Sequence, residues 1–256
     1  MFSDLIDEMD DLDGYSIEPK FFLDVPFVPT DDSLIDAMLK LADLNKTDTL
    51  YDLGSGDGRI VITAAQKLGI RAIGVELDPL RVSEAMEEAA HARVEHLVDF
   101  IEEDLFEADF SPATVVTMYL MDSVNVMLRP RLLKELRPGT RIVSHAFDMG
   151  NWRADVEVCL GGVTLYKWII PAMVEGAWQW EGMDGCSYHL ELQQKYQEVT
   201  GEVWVDDEPA QLVQCKLEGS RLQISVQAPH SDSPQQMVLS FEHDAQNPEL
   251  EWCEQQ

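Results

Sequence analysis

Between Thr49 and Ala146 short apolar runs alternate with segments of helical periodicity, and this alternation restricts the fold more than any other feature of the chain. Strands are expected at Thr49–Leu53, Arg71–Glu76, Val98–Ile101, Thr114–Leu120 and Thr140–Ala146. Helices are expected at Arg59–Leu68, from Pro79 to about Arg93, and from the end of the fourth strand through Leu136. Pro79 starts its helix because proline suits a first turn, where its missing N–H costs nothing. Parallel strands need long crossovers, so this order implies a parallel sheet with helices on both faces. A further helix precedes it: Leu34, Ile35, Met38, Leu39, Leu41 and Ala42 recur at helical spacing, with Thr30, Asp31 and Asp32 as candidate N-cap oxygens.

Two more runs, Asp155–Leu160 and Thr164–Ile170, are separated by Gly161, Gly162 and one residue more, which predicts an antiparallel hairpin ending the sheet. Beyond Pro171 the period becomes two, from Trp178 and Trp180 through Tyr188, Leu190 and Leu192 to Met237, Leu239 and Phe241. That pattern predicts a meander of about six strands with one buried face. Trp178, Trp180, Tyr188, Tyr196 and Trp204 are read as packing for this sheet or as an aromatic pocket. The expected organisation is an acidic arm at 1–24, an α/β domain at 25–172 and an antiparallel β domain at 173–256. In the arm, Leu5, Ile6, Met9 and Leu12 suit the apolar stripe of a short helix or lie in a solvated tail.

Charge narrows the partners. The 256 residues hold 18 Lys+Arg against 48 Asp+Glu, a formal net charge of −30. Such a field repels phosphate backbones and favours a basic protein or a cationic small molecule over nucleic acid. No stretch is apolar for the ~18 residues that a membrane span needs. Met1–Glu18 carries seven acids and no Lys or Arg, the reverse of a targeting peptide, so a cytoplasmic protein is expected. Cys159, Cys186, Cys215 and Cys253 are too dispersed for a metal site and are expected as reduced thiols. No heptad pattern marks a coiled coil, and a monomer is expected.

The first strand runs into Asp52-Leu53-Gly54-Ser55-Gly56-Asp57-Gly58 and then a helix. Glycine allows a tight turn and close approach of a ligand to the main chain. The spacing is G-x-G-x-G, not the G-x-G-x-x-G that seats a pyrophosphate on a helix N-terminus, and Asp52 and Asp57 would repel one. A cation-bearing ligand beside a carboxylate fits better, and S-adenosylmethionine has both an ammonium and a sulfonium. Glu76, closing the second strand, is placed to accept two ribose hydroxyls. Asp104, just after the third strand, is placed to accept the adenine amino group while Leu105 covers the ring. Three acids at the carboxyl ends of successive strands define a crevice of the kind open α/β sheets use for ligands.

These residues resemble the class I S-adenosylmethionine-dependent methyltransferases. The match narrows with Val25-Pro26-Phe27-Val28-Pro29-Thr30 before the glycine turn, Val115–Leu120 in the fourth strand and Leu136–His145 through the fifth. That set is similar to the mitochondrial protein-lysine methyltransferases acting on the ATP synthase c-subunit and the adenine nucleotide translocase, and to their bacterial relatives. The resemblance spans roughly residues 24–170 and implies a Rossmann-like sheet, S-adenosylmethionine as cofactor and transfer to a protein lysine. It implies a cofactor site of Phe27, Pro29, Thr30, Asp52, Gly54, Ser55, Gly56, Gly58, Glu76, Leu77, Asp104, Leu105 and Tyr119. The chain departs from the pattern at Phe27, where Tyr is usual, at Asp31, where Pro is usual, and at Met121-Asp122-Ser123, where a Pro is expected nearby. The hydrophobic targeting or membrane segment of the mitochondrial members has no counterpart, and the β-rich tail resembles an extra module of some bacterial relatives.

A lysine acceptor must lose a proton despite an ordinary pKa of ~10.4, which a narrow, partly aromatic channel promotes by desolvation. Tyr119, at the carboxyl end of the fourth strand, is the candidate wall of that channel, or else packs on the adenine or a helix. Phe27 is read as a lid over the cofactor, stiffened by Pro26 and Pro29. His145 is either a general base or a hydrogen-bonded structural histidine, and Asp122 either attracts a cationic substrate or caps a helix. A cysteine-nucleophile route fails because the first cysteine, Cys159, lies beyond the site. An Asn/Asp-Pro-Pro-Tyr amide or adenine route fails because the chain reads Met118-Tyr-Leu-Met there. Small-molecule or lipid methylation and non-catalytic cofactor binding are the alternatives to lysine transfer.

Overall fold

A computed structural model describes residues 27–231, 233–241 and, for the backbone, 249–252. The acidic arm and Cys253 lie outside the described residues. The elements run α1 (Asp32–Leu41), β1 (Thr49–Leu53), α2 (Arg59–Leu68), β2 (Arg71–Glu76), α3 (Pro79–Ala92), β3 (Val98–Glu102), β4 (Val115–Met118), α4 (Asp122–Glu135), β5 (Arg141–His145), β6 (Val156–Leu160) and β7 (Val163–Ile169). A second set follows: β8 (Gly176–Glu181), β9 (Ser187–Lys195), β10 (Glu198–Val205), β11 (Glu208–Glu218), β12 (Arg221–Gln227), β13 (Gln235–Ser240) and β14 (Glu249–Trp252).

The first sheet has the order β3-β2-β1-β4-β5-β7-β6. β1 to β5 are parallel, and β7 and β6 add the antiparallel hairpin expected from the two glycines. The alternation therefore yields the layered α/β sheet it implies. Helices lie on both faces. One core gathers Leu34, Ile35 and Met38 of α1 with Ile60, Val61 and Ala64 of α2 and Ala89 of α3. The other packs Leu128 and Leu132 of α4 with Phe110, Trp152 and Trp168. β4 and β5 are buried along almost their whole length because they are covered on both faces, although β5 includes Arg141, Ser144 and His145.

The crossover from β3 to β4 holds no helix; its loop buries Ala108, Phe110 and Ala113 against the sheet instead. Arg131 of α4 fixes that loop by donating to the carbonyls of Leu105 and Ala108, at 3.0 and 2.9 Å, while Glu135 holds the guanidinium. Pro130 sits inside α4, where it removes one helical donor.

Local signals differ from the residues in small ways. Asp31 is the α1 N-cap by position, yet its side chain makes no cap bond, and neither do Thr30 and Asp32, since Thr30 faces His145 and Asp32 is already helical. Met121 caps α4, so Asp122 is its first helical residue rather than its cap. Asp78 does cap α3, accepting from Leu80 N at 2.9 Å.

The second sheet is a sequential antiparallel meander of seven strands, β14-β13-β12-β11-β10-β9-β8, not six. The extra one is β14, an edge strand whose Glu-Leu-Glu-Trp alternation spans only four residues. Trp178, Trp180 and Tyr188 pack in its core, whereas Trp204 lies beside His189, at 5.2 Å between ring centroids. Several contacts among the described residues join the sheets. The β9–β10 turn stacks Tyr196 on Trp152, and Trp152 Nε1 donates to Gln197 Oε1 at 2.8 Å. Just past β7, Ala172 N donates to Gly219 O at 2.8 Å.

At the amino ends of the strands Asp48, 5% exposed, accepts from Thr114 Oγ1 at 2.7 Å and Asn45 Nδ2 at 2.7 Å and pairs with Arg141. Arg141 also donates to the carbonyls of Ala42 and Asp43, tying α1 to β5. Removing one partner strands a buried charge. Asp48→Ala is expected to cost about 3 kcal/mol in urea unfolding with the cofactor site intact.

Candidate functional site

Strand order reverses between β1 and β4, and a crevice opens there at the carboxyl ends of the strands. Its wall includes Phe27–Thr30, Asp52, Gly54, Ser55, Glu76, Leu77, Asp104, Leu105 and Tyr119, so the sequence-predicted residues converge on one cavity with few exceptions. Gly56, Gly58 and His145 are the exceptions.

The glycine turn leans on β2. Gly54 N and Ser55 N both donate to the carbonyl of Val75, at 2.9 and 3.0 Å, and Gly56 N donates to Glu76 Oε2 at 2.8 Å. Asp78 N donates to the other Glu76 oxygen at 2.9 Å, so two amides fix the carboxylate and leave lone pairs for a diol. Gly54, Gly56 and Gly58 all have positive φ, at 77°, 54° and 75°. Their roles differ. A Cβ at Gly56 would strike the Phe27 ring, whereas one at Gly58 would come within 2.6 Å of Phe100. Gly56 therefore makes room for the segment over the cavity, and Gly58 allows close packing against Phe100 and Ala85.

Asp52 is 2% exposed and accepts from Thr117 Oγ1 at 2.7 Å. Burial, reinforced by the charges of Glu76 and Asp57 and opposed by the Thr117 bond, pushes its pKa up to about 7. Asp57 is not the repelling charge that its sequence position suggests. Arg59 binds it through Nε at 2.9 and 3.1 Å and Nη2 at 2.5 Å. Burial works against the Asp57 charge, but those bonds and the Arg59 charge outweigh it and hold the carboxyl below its ordinary value. Arg59 Nη1 also donates to Thr30 O at 3.1 Å, and the Arg81 guanidinium lies 4.0 Å over the Phe27 ring. Arg59 and Arg81 thus tie the Phe27–Thr30 segment down. Both were missed in the sequence, where nothing local marks Arg59, directly after Gly58, or Arg81, in the first turn of α3, as a clasp.

Asp104 accepts from Phe106 N at 2.9 Å through one oxygen, and Leu105 and Phe106 line the wall beside it. Tyr119 is half-buried on the cavity wall. His145 is 4% exposed and stands behind Tyr119, with ring centroids 3.7 Å apart and Nδ1 3.4 Å from Thr30 Oγ1. Burial lowers its pKa against the opposing charge of Asp31, so the ring is neutral at pH 7. His145 has no face on the cavity. Among the described residues no cluster of His, Cys, Asp or Glu is arranged to hold a metal.

The cavity fits S-adenosylmethionine on its own evidence. Ser55 Oγ is buried without a partner at the wall. Glu76 presents a fixed carboxylate for a ribose, Asp104 with Leu105 and Phe106 an adenine slot, and Asp52 an anion for an ammonium.

A parallel sheet ended by an antiparallel hairpin, with this crevice at its reversal, defines the class I methyltransferases. The sequence matches the family described as the ANTKMT methyltransferase domain over residues 52–156. A protein-lysine N-methyltransferase of Saccharolobus islandicus (strain REY15A) is 46% identical over 129 residues, 50% of this chain and 80% of that protein. The human lysine N-methyltransferase of the ATP synthase c-subunit is 33% identical over 131 residues, 51% of this chain and 55% of that protein. The chain thus spans little more than half the length of the animal relative. A Salinibacter ruber crystal structure, described as an RNA methyltransferase with S-adenosyl-L-homocysteine, aligns with a TM-score of 0.57. It is 56% identical and covers 57% of this chain and 96% of that one. The chain belongs to this family of S-adenosylmethionine-dependent methyltransferases.

Asp52 carries a testable sign. Its folded pKa is about 7 against an ordinary value of 3.8, so the stability it contributes is fully present below pH 4 and lost as pH rises to about 7. Asp52→Asn is expected to stabilise the cofactor-free protein at pH 8, by at most about 4 kcal/mol, and to weaken cofactor binding. In the native protein cofactor affinity should fall up to about tenfold per pH unit below pH 7. Calorimetric titration at several pH values checks both.

Proposed function

We propose that the protein transfers a methyl group from S-adenosylmethionine to a lysine amine of a basic protein. The observation that carries this reading is the cavity wall itself. Asp52, Asp57, Glu76, Asp78, Glu103 and Asp104 face it, while its two arginines are engaged, Arg59 by Asp57 and Arg81 by Glu84 at 2.6 Å. That balance attracts a cationic chain and repels a phosphate backbone. The names of the Saccharolobus and animal relatives, all lysine methyltransferases, support the same acceptor.

The cofactor supplies an already activated methyl, so the protein orients the acceptor and excludes water. The half-buried Tyr119 ring gives an entering amine a poorly solvated surface, which favours its neutral, nucleophilic form. Phe27, held between Gly56 and Arg81, closes the cavity above.

RNA methylation is the second reading, favoured by the description of the Salinibacter structure. The net charge of −30 opposes it.

The test is transfer of tritiated methyl from S-adenosylmethionine into a cell extract, separated into protein, RNA, lipid and small molecules. Wild-type label is expected in protein, recovered as methyl-lysine. Gly56→Arg, which drives a side chain into the Phe27 site, should reduce that label to background. Label confined to RNA or to small molecules would reject the lysine reading.

A further inference from the structure

The chain directly after β5 holds an expensive turn. Ala146 has φ 67°, a left-handed conformation that a non-glycine residue seldom adopts without being forced. Phe147 N donates back to His145 O at 2.9 Å, closing a three-residue turn. Asn125 of α4, fully buried, directs its Nδ2 to Phe147 O, Asp148 O and Ser144 Oγ at 3.2, 3.1 and 3.3 Å. Ser144 Oγ donates to Phe147 O at 2.7 Å as well. The cost includes an acceptor: Asn125 Oδ1 is buried with no partner.

Strain and an orphaned polar atom this close to a cavity ask what the turn holds in place. It presents two rings to Tyr119. The His145 centroid is 3.7 Å from that of Tyr119, and the Phe147 centroid is 6.2 Å away at 26°. Tyr119 lies on the cavity wall and neither neighbour does.

We propose that His145 is a positioning residue: its ring, held by the strained 144–148 turn, sets the plane of Tyr119 and so the seat of the acceptor nitrogen. The inference rests on the proposed acceptor only in taking Tyr119 as the acceptor wall. Ring contact, not proton transfer, is the working element. The Thr30 Oγ1 to His145 Nδ1 separation of 3.4 Å exceeds the usual hydrogen-bond range, whereas the ring approach is close. His145 therefore needs a flat ring more than a nitrogen.

Two substitutions separate these properties in the full chain. His145→Phe keeps the ring and loses both nitrogens. His145→Asn keeps a polar group near Thr30 and loses the ring. Cofactor affinity is measured first by titration with S-adenosylhomocysteine, and variants that match wild type are taken as folded. Turnover is then measured on whichever fraction the wild type labels. His145→Phe is expected to retain kcat within about threefold, and His145→Asn to lose about ten- to a hundredfold with cofactor affinity unchanged. If Asn is not tolerated in the buried site, His145→Leu, an apolar filler without a ring, replaces it with the same expectation. Equal loss in the Phe and Asn (or Leu) variants would mean that the imidazole nitrogen itself is needed and would overturn the proposal. Full activity in both would overturn it too. Wild-type label in RNA rather than protein would sink the lysine acceptor, while the contrast between the variants would still decide the role of the ring.

Discussion

The site depends on how the end of β1 rests on the end of β2. Three successive amides, those of Gly54, Ser55 and Gly56, terminate on Val75 O and Glu76 Oε2. Only a chain in the left-handed conformation at Gly54 and Gly56 can aim them so. The same contact fixes the Glu76 carboxylate, opens the space that Phe27 fills and starts α2 at Arg59. Arg59 then reaches Asp57 and the Thr30 carbonyl. The positions of the Glu76 carboxylate and of Phe27 over the cavity are thus consequences of one turn, and a Cβ at Gly56 would strike Phe27 although Gly56 does not line the cavity.

Electrostatically the site is divided in two. Asp57 is neutralised by Arg59 and keeps its charge, whereas Asp52, deeper and linked only to a threonine hydroxyl, does not hold its charge firmly at pH 7. A buried anion without a cation is unfavourable in the free protein and favourable once a cationic group arrives. The Asp52 charge therefore costs the free protein stability. The ion pair serves architecture by holding the segment that closes the cavity. Sequence position treats these two aspartates alike, and only their neighbours separate them.

Most of the first sheet was legible because each element carries its own signal: β-branched runs, helical spacing, and glycines where the chain must turn. The candidate cofactor residues were legible for the same reason, since carboxyl-end positions of successive parallel strands meet by topology. What could not be read depends on distant pairing. Arg131 reaching the Leu105 and Ala108 carbonyls, Arg81 over Phe27, and His145 behind Tyr119 are separated by 23 or more residues in sequence and leave no local pattern. Caps were less legible, since Asp31 is the α1 N-cap by position without a side-chain cap bond and Asp122 begins α4 instead of capping it. The meander was undercounted because the alternation Glu249-Leu250-Glu251-Trp252 spans only four residues.

The second sheet contributes no residue to the described cavity wall, which ends in sequence at Val124. Its place in the molecule follows from Trp152 and Trp168, two fully buried indoles at the end of the first sheet. Trp168 Nε1 donates to Trp152 O at 2.9 Å, and Trp152 turns its own nitrogen to Gln197 and its face to Tyr196. Without the β9–β10 turn, that indole would keep neither its hydrogen-bond partner nor its stacked ring. Trp152 lies four residues past Asp148, whose carbonyl Asn125 holds, and Arg129 of α4 binds Met149 O and Asn151 Oδ1 between them. The β sheet therefore buttresses the far end of the segment whose near end carries His145 and Phe147. A physical route exists from the second sheet to Tyr119 on the cavity wall through packed rings and backbone bonds, without the sheet touching the cavity.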